Sequence, residues 1–244
     1  MSNKDKRNLP FWDHLEELRW RMLKILFSVL FFSIVFFVFS EDLLLLLKKP
    51  TSGIDSYRLQ ALSITSEFMA HVKVAFFCGF FLSIPYFVFQ VWKFVSPAID
   101  SKYDSFFIFC SIFSLILVIL AILLSYLFVV PLCLQFFHSY SSSNLNIEQN
   151  PEIHRYISFI GWITLQSIIT FQLPIVTIVF VRLGVITTEF LRHYRRPAIV
   201  LFFIVSAILT PQDPITQVVF AIPLVLLYET SIIIGKVIEL KSND

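Results

Sequence analysis

Ion-pairing and acid–base chemistry in this sequence concentrate in one stretch, Asp13-His14-Leu15-Glu16-Glu17-Leu18-Arg19-Trp20-Arg21. A carboxylate and a guanidinium four residues apart share one helix face, so Glu17 and Arg21 can pair, a contact worth about 0.3–0.5 kcal/mol on an exposed surface. Asp13 can cap that helix with Glu16 at its third position, and Glu16 and Glu17 then lie where the helix dipole favours anions. Leu15, Leu18 and Met22 recur at i, i+3 and i+7 on another side. The turn therefore has an apolar face for a membrane surface and keeps Glu17 in water. On residue types alone, Arg19, Arg21 and Lys24 orient the chain, and His14, near Glu17, at most tunes local charge.

Other polar side chains fall inside apolar runs. Lys73 is either a snorkelling cation or part of a polar cavity, with Glu67 and His71 just upstream. Gln166, Thr170 and Gln172 sit mid-run, with Gln166 and Thr170 on one face; they either bond between helices or line a concavity. Glu229, seven residues before Lys236, reads as a helix anchor at an interface. No HExxH, GxSxG or GxxxxGK[ST] pattern is present, and the five His are scattered. Hydrolytic, nucleotide-driven and metal chemistry thus lack a constellation. Cys78, Cys110 and Cys133 cannot form a complete disulfide set or a spaced zinc site, and read as small buried hydrophobes.

The elements that must position these residues are membrane spans. With 57% hydrophobic residues, 29 Phe, 15% charged residues and a mean hydropathy of +0.79, the chain is too apolar for a soluble domain of 244 residues. An all-α, polytopic, single membrane domain over 1–244 is expected. Six spans emerge, about 22–39, 68–91, 106–130, 157–181, 198–209 and 215–234. The first, followed by Ser40-Glu41-Asp42, reads as an uncleaved anchor. Counted by alternate connections, fourteen Lys and Arg fall on the side of the termini and four on the other, with Lys73 on neither; this predicts that both termini are cytoplasmic.

The connections 40–67 and 131–156 exceed tight turns and contain apolar residues, so short helices are expected in them. Segment 198–209 reaches only about 18 Å as a helix against about 30 Å of hydrocarbon, so it borrows from the residues before it or thins the bilayer. Thr210-Pro211-Gln212-Asp213-Pro214 then forces a turn into the last span. Pro85, Pro131, Pro174 and Pro223 predict kinked helices. No internal repeat is evident, which weighs against an inverted-repeat transporter.

His14-Leu15-Glu16-Glu17-Leu18-Arg19-Trp20-Arg21 resembles the HLxELRxR signature at the amino terminus of the TatC family, the signal-peptide receptors of the twin-arginine translocase. Ser66-Glu67-Phe68 through Lys73, Pro85-Tyr86 through Gln90-Val91-Trp92-Lys93-Phe94-Val95-Ser96-Pro97, and the run from Phe171 to Tyr228-Glu229 agree with that family in order. The resemblance implies six helices in a concave, glove-like bundle, the last two short, in a bacterial-type cytoplasmic (inner) membrane. It implies recognition of paired arginines on folded cargo, assembly with TatA and TatB-type single-span proteins into an oligomeric complex, and a proton-motive energy source. No cofactor, nucleic-acid partner or enzymatic reaction is implied.

By the same resemblance the signal-peptide site comprises Glu17, Arg19, Phe94, Pro97, Tyr103 and Asp104, with Glu67, Asp213 and Gln217 as partner or structural positions. Two guanidinium groups need carboxylate acceptors, and a phenol cannot supply the charge. Tyr103 stands where the family usually has a second glutamate, so Asp104, adjacent to it, or Asp100, one turn earlier, is the expected replacement. Gln172 stands where the family often has a glutamate, keeping a polar site without its charge. A small-solute transporter with Lys73, Gln166 and Gln172 as its midplane site is the competing expectation.

Overall fold

A computed structural model describes residues 11–51, 59–95, 104–141, 150–182, 184–209 and 214–243. The described residues are almost entirely helical. They form α1 (Phe11–Val38), α2 (Ser40–Lys48), α3 (Ser66–Val95), α4 (Asp104–Leu124), α5 (Val130–Ser141), α6 (Ile153–Phe171), α7 (Leu173–Arg182), α8 (Thr188–His193), α9 (Arg195–Leu209) and α10 (Pro214–Asn243). The chain divides into two compact units. Residues 1–46 and 67–118 make the first, and residues 47–66 and 119–244 the second.

Five helical stretches among the described residues are long and apolar enough to cross a bilayer: Trp12–Val38, Ser66–Phe94, Ile108–Ser139, Ile153–Arg182 and Gln217–Lys236. The expected fifth segment, 198–209, is found in α9, which borrows Arg195, Arg196 and Pro197 to reach 15 residues. That is about 22 Å of helix, still short of the hydrocarbon thickness. Pro197 sits in its first turn, where a missing N–H costs no helical bond.

The capping expectation for Asp13 is corrected. Asp13 lies within the first turn of α1, which already includes Phe11, because nothing in Phe11-Trp12 opposes helical angles and the turn simply extends upstream. At Pro131, where a kinked helix is expected, the regular α-helical pattern is interrupted. A π-helical segment, Ser125–Val129, joins α4 to α5, and the Val130 N–H bonds Ser125 O. The widened turn absorbs the proline's clash with the preceding turn, so the helical run continues to Ser141. Pro174 acts in the predicted way: α6 ends at Phe171, Gln172 caps it with its N–H on Ile169 O at 3.1 Å, and α7 begins at Leu173.

In the first unit α1, with Ser40, runs antiparallel to α3 along a seam of small and polar residues. Arg21 bonds Gln90 O at 3.2 Å, Ser28 Oγ lies 3.3 Å from Ser83 Oγ, Ser33 abuts Gly79, and Ser40 Oγ lies 2.9 Å from His71 Nδ1. Small residues allow such close approach where burial of apolar surface supplies little drive between helices in lipid. At Gly79 an added Cβ would stand 2.7 Å from Ser33 Cα, so only glycine fits.

The second unit is built on α6, α7 and α10. Buried Val181, Leu191, Tyr228 and Ile232 form a cluster, fixed by the Tyr228 hydroxyl donating to Leu191 O at 2.7 Å. Ser125 and Thr164 hydroxyls meet at 3.1 Å, linking the π segment to α6. The Thr187 hydroxyl caps α8 by accepting from Phe190 N–H at 3.2 Å.

Candidate functional site

The sequence motif acquires a geometry at the N-terminal end of α1. Arg21 is buried, 8% exposed, although it belongs to the most highly charged stretch of the helix. A guanidinium removed from water must spend its N–H groups on acceptors. Arg21 Nη1 donates to the Gln90 carbonyl at 3.2 Å, and Nη2 pairs with Glu17 Oε1. The Glu17 side chain itself remains 29% exposed. An i, i+4 pair predicted as a surface contact is therefore anchored to α3, through a residue 69 positions away in sequence.

His14 supplies the second link. Its ring stacks on Phe94 with centroids 4.2 Å apart and planes at 16°, and its Nδ1 lies 3.9 Å from Glu17 Oε2. That separation is too long for a hydrogen bond. Glu17 thus has one oxygen taken by Arg21 and the other near an imidazole edge, partly exposed where the start of α1 meets the end of α3.

Of the residues implied by resemblance, Glu17 and Phe94 are brought together, bridged by His14. Arg19 is exposed on α1. Pro97, Tyr103, Asp213 and also Asp100 lie outside the described residues, and Asp104 is described only as the first residue of α4. Glu67 is exposed in the first turn of α3. Gln217 has a structural position: its Nε2 donates to Phe203 O at 3.0 Å and its carbonyl accepts from Ser206 Oγ at 2.6 Å, tying α9 to α10. Lys73, half-buried on α3, belongs to the first unit, whereas buried Gln166 and half-buried Gln172 belong to the second. Glu229, read as an anchor, pairs with Arg195 at 2.6 Å.

A second charged centre had no counterpart in the sequence reading. Glu152, just before α6, is buried and accepts from Ser66 Oγ at 2.7 Å, with His154 Nδ1 at 2.9 Å and Arg155 Nε at 3.0 Å. The Ser66 hydrogen bond holds its carboxyl below the usual carboxylate range; burial opposes this, and the charges of His154 and Arg155 assist it. Backbone bonds from Gln60 N–H to Pro151 O at 3.1 Å and from Ile153 N–H to Gln60 O at 3.0 Å close the same knot. The available signal was Glu152 followed by His154 and Arg155, three charges in four positions. No group of three or more metal-ligating side chains occurs among the described residues.

Long apolar helices with a charged cluster at the end of one of them define a membrane-embedded protein. Comparison with known proteins makes the class specific. The family model of the Sec-independent protein translocase protein TatC matches residues 13–223. The TatC protein of Aquifex aeolicus is 35% identical over 237 residues, covering 97% of this chain and 98% of that protein; that of Magnetococcus marinus is 34% identical, covering 98% and 88%. A crystal structure of the twin-arginine translocase receptor TatC superposes with a TM-score of 0.80 at 34% identity, covering 93% of this chain and 99% of the other. The chain belongs to the TatC family, as its signature resemblance implied, and is a multi-pass, all-α membrane protein.

Proposed function

We propose that this chain is the receptor subunit of a twin-arginine translocase, binding the paired arginines of signal peptides and passing folded proteins across a bacterial-type cytoplasmic membrane under the proton-motive force. It acts as a receptor and conduit component rather than an enzyme, in an oligomeric complex with TatA and TatB-type single-span proteins. The observation that carries this reading is the half-exposed Glu17 carboxylate, tied to a buried guanidinium and flanked by the His14–Phe94 stack. The fourteen-to-four distribution of Lys and Arg supports cytoplasmic termini, and hence a site open to newly made cargo.

A guanidinium needs a carboxylate acceptor at close range, and charge-assisted bonds of this kind are about twice as strong as neutral ones. The surrounding tail is basic, so long-range attraction works against an arginine pair and local acids must supply recognition. Glu17 is one such acid, and Asp104, or Asp100, is the second. Binding of an Arg-Arg signal peptide and its Lys-Lys counterpart to the purified full-length protein tests this. Glu17→Gln should weaken Arg-Arg binding about tenfold or more. Asp104→Asn or Asp100→Asn should show a comparable loss. Equal affinity for the two peptides in the unmodified protein would defeat the receptor reading, and unaltered binding in both aspartate variants would remove the second carboxylate.

A further inference from the structure

Glu17 has a guanidinium on it before any ligand arrives, and the burial of that guanidinium indicates what it does. Were Arg21 a stand-in for a ligand arginine, it would have to leave when the peptide binds. Yet it is 8% exposed and held by a second bond to the Gln90 carbonyl. Leaving Glu17 would strand a buried charge without its counter-ion, a costly state. Its Nε is also buried with no acceptor among the described residues, so it has little to gain from further loss.

We infer that Arg21 is a positioning residue for signal-peptide recognition: clamped to the α3 backbone at Gln90, it holds Glu17 by Oε1 and leaves Oε2 as the oxygen offered to an arriving guanidinium. This rests on the proposed function of Glu17. Its consequence is that Glu17 receives one arginine through a single oxygen, and the second arginine of the pair requires a separate acceptor. The planar fork of arginine can place one N–H on Oε2 while directing another to a neighbouring acceptor, a geometry that the compact ammonium of lysine does not match. The Gln90 anchor thereby links the end of α3 to the selectivity of the site.

The test uses the full-length protein in lipid nanodiscs, with labelled Arg-Arg and Lys-Lys signal peptides, and the variants Arg21→Lys, Arg21→Met, Glu17→Gln and Glu17→Gln/Arg21→Lys. Arg21→Lys retains the charge but not the fork that spans Glu17 and Gln90. It should keep the thermal midpoint, lower Arg-Arg affinity about tenfold and narrow the ratio between the two peptides. In the double variant the lysine should add little to the loss caused by Glu17→Gln, since a positioning residue acts through what it positions. Unchanged or tighter binding in Arg21→Lys, or an additive loss in the double variant, overturns the inference; tighter binding would identify Arg21 as a displaced occupant. Should Arg21→Met lower the midpoint, Arg21→Lys decides. If Glu17→Gln itself binds normally, both the Glu17 assignment and this inference fall, whereas a weakened Glu17→Gln with an unaffected Arg21→Lys removes the positioning role alone.

Discussion

The two units each contain a glutamate engaged by an arginine, and they bury opposite partners. In the first, the Arg21 side chain is 10% exposed and Glu17 29%; in the second, the Glu152 side chain is 8% exposed and Arg155 81%. The buried member of such a pair is committed to the fold, because exchanging its partner means leaving a charge in a poorly solvating place. The more exposed member is available. Glu17 is therefore presented outward by a scaffold-held cation, while Glu152 is consumed as an internal acceptor for Ser66, His154 and Arg155. Carboxylates that look alike in sequence divide in this way between one left partly open to solvent and one enclosed by the fold.

The largest effect on this contrast should come from the seam that carries Arg21. Replacing Gly79 by leucine drives a side chain into the α1 backbone at Ser33 and should destabilise the protein by about 3 kcal/mol, read as a lowered thermal midpoint, with export falling alongside. A midpoint equal to the parent would mean that the α1–α3 contact is not tight and that Arg21 has another anchor.

Next in size is a direct exchange of roles between the two acids. Glu152→Gln should lower the midpoint and leave peptide binding in place, whereas Glu17→Gln, which strips the buried Arg21 of its counter-ion, should lower the midpoint and also weaken peptide binding. The folded-state carboxyl of Glu152 titrates below its ordinary value of 4.5. The stability it contributes is accordingly complete above that value and is lost as pH falls through the lowered one. Melting curves of the parent and Glu152→Gln should be most widely separated above the ordinary value of 4.5 and should converge as the pH falls below it. Separation that widens on acidification would contradict the assignment of Glu152 as the buried acceptor.

The smallest effect belongs to the pair in which neither partner is committed. Arg195 and Glu229 are 42% and 36% exposed, so Glu229→Gln should change stability by less than about 1 kcal/mol. A shift beyond that in denaturation experiments would show that half-exposed pairs here carry more than exposure suggests.

Much of the architecture was legible from the chain. Apolar run length marks spans because hydrocarbon excludes unbonded backbone, and that signal is local. The break at Gln172–Pro174 followed from a residue that cannot donate. At Pro131 the same constraint takes another form, a π turn that accommodates the ring while the helix goes on. Asp13 failed as a cap because upstream residues were equally able to be helical.

The sequence by itself determined the class of protein, its all-helical character and the pairing of Glu17 with Arg21, all of which depend on composition or on spacing within one helix. Tertiary structure decided which member of that pair is buried, that Gln90 anchors it, that His14 rests on Phe94 and that Gly79 must be glycine. Those facts join residues on different helices, 46 to 80 positions apart. Hydropathy and helical periodicity carry no information over such distances, whereas burial of a charge depends on little else.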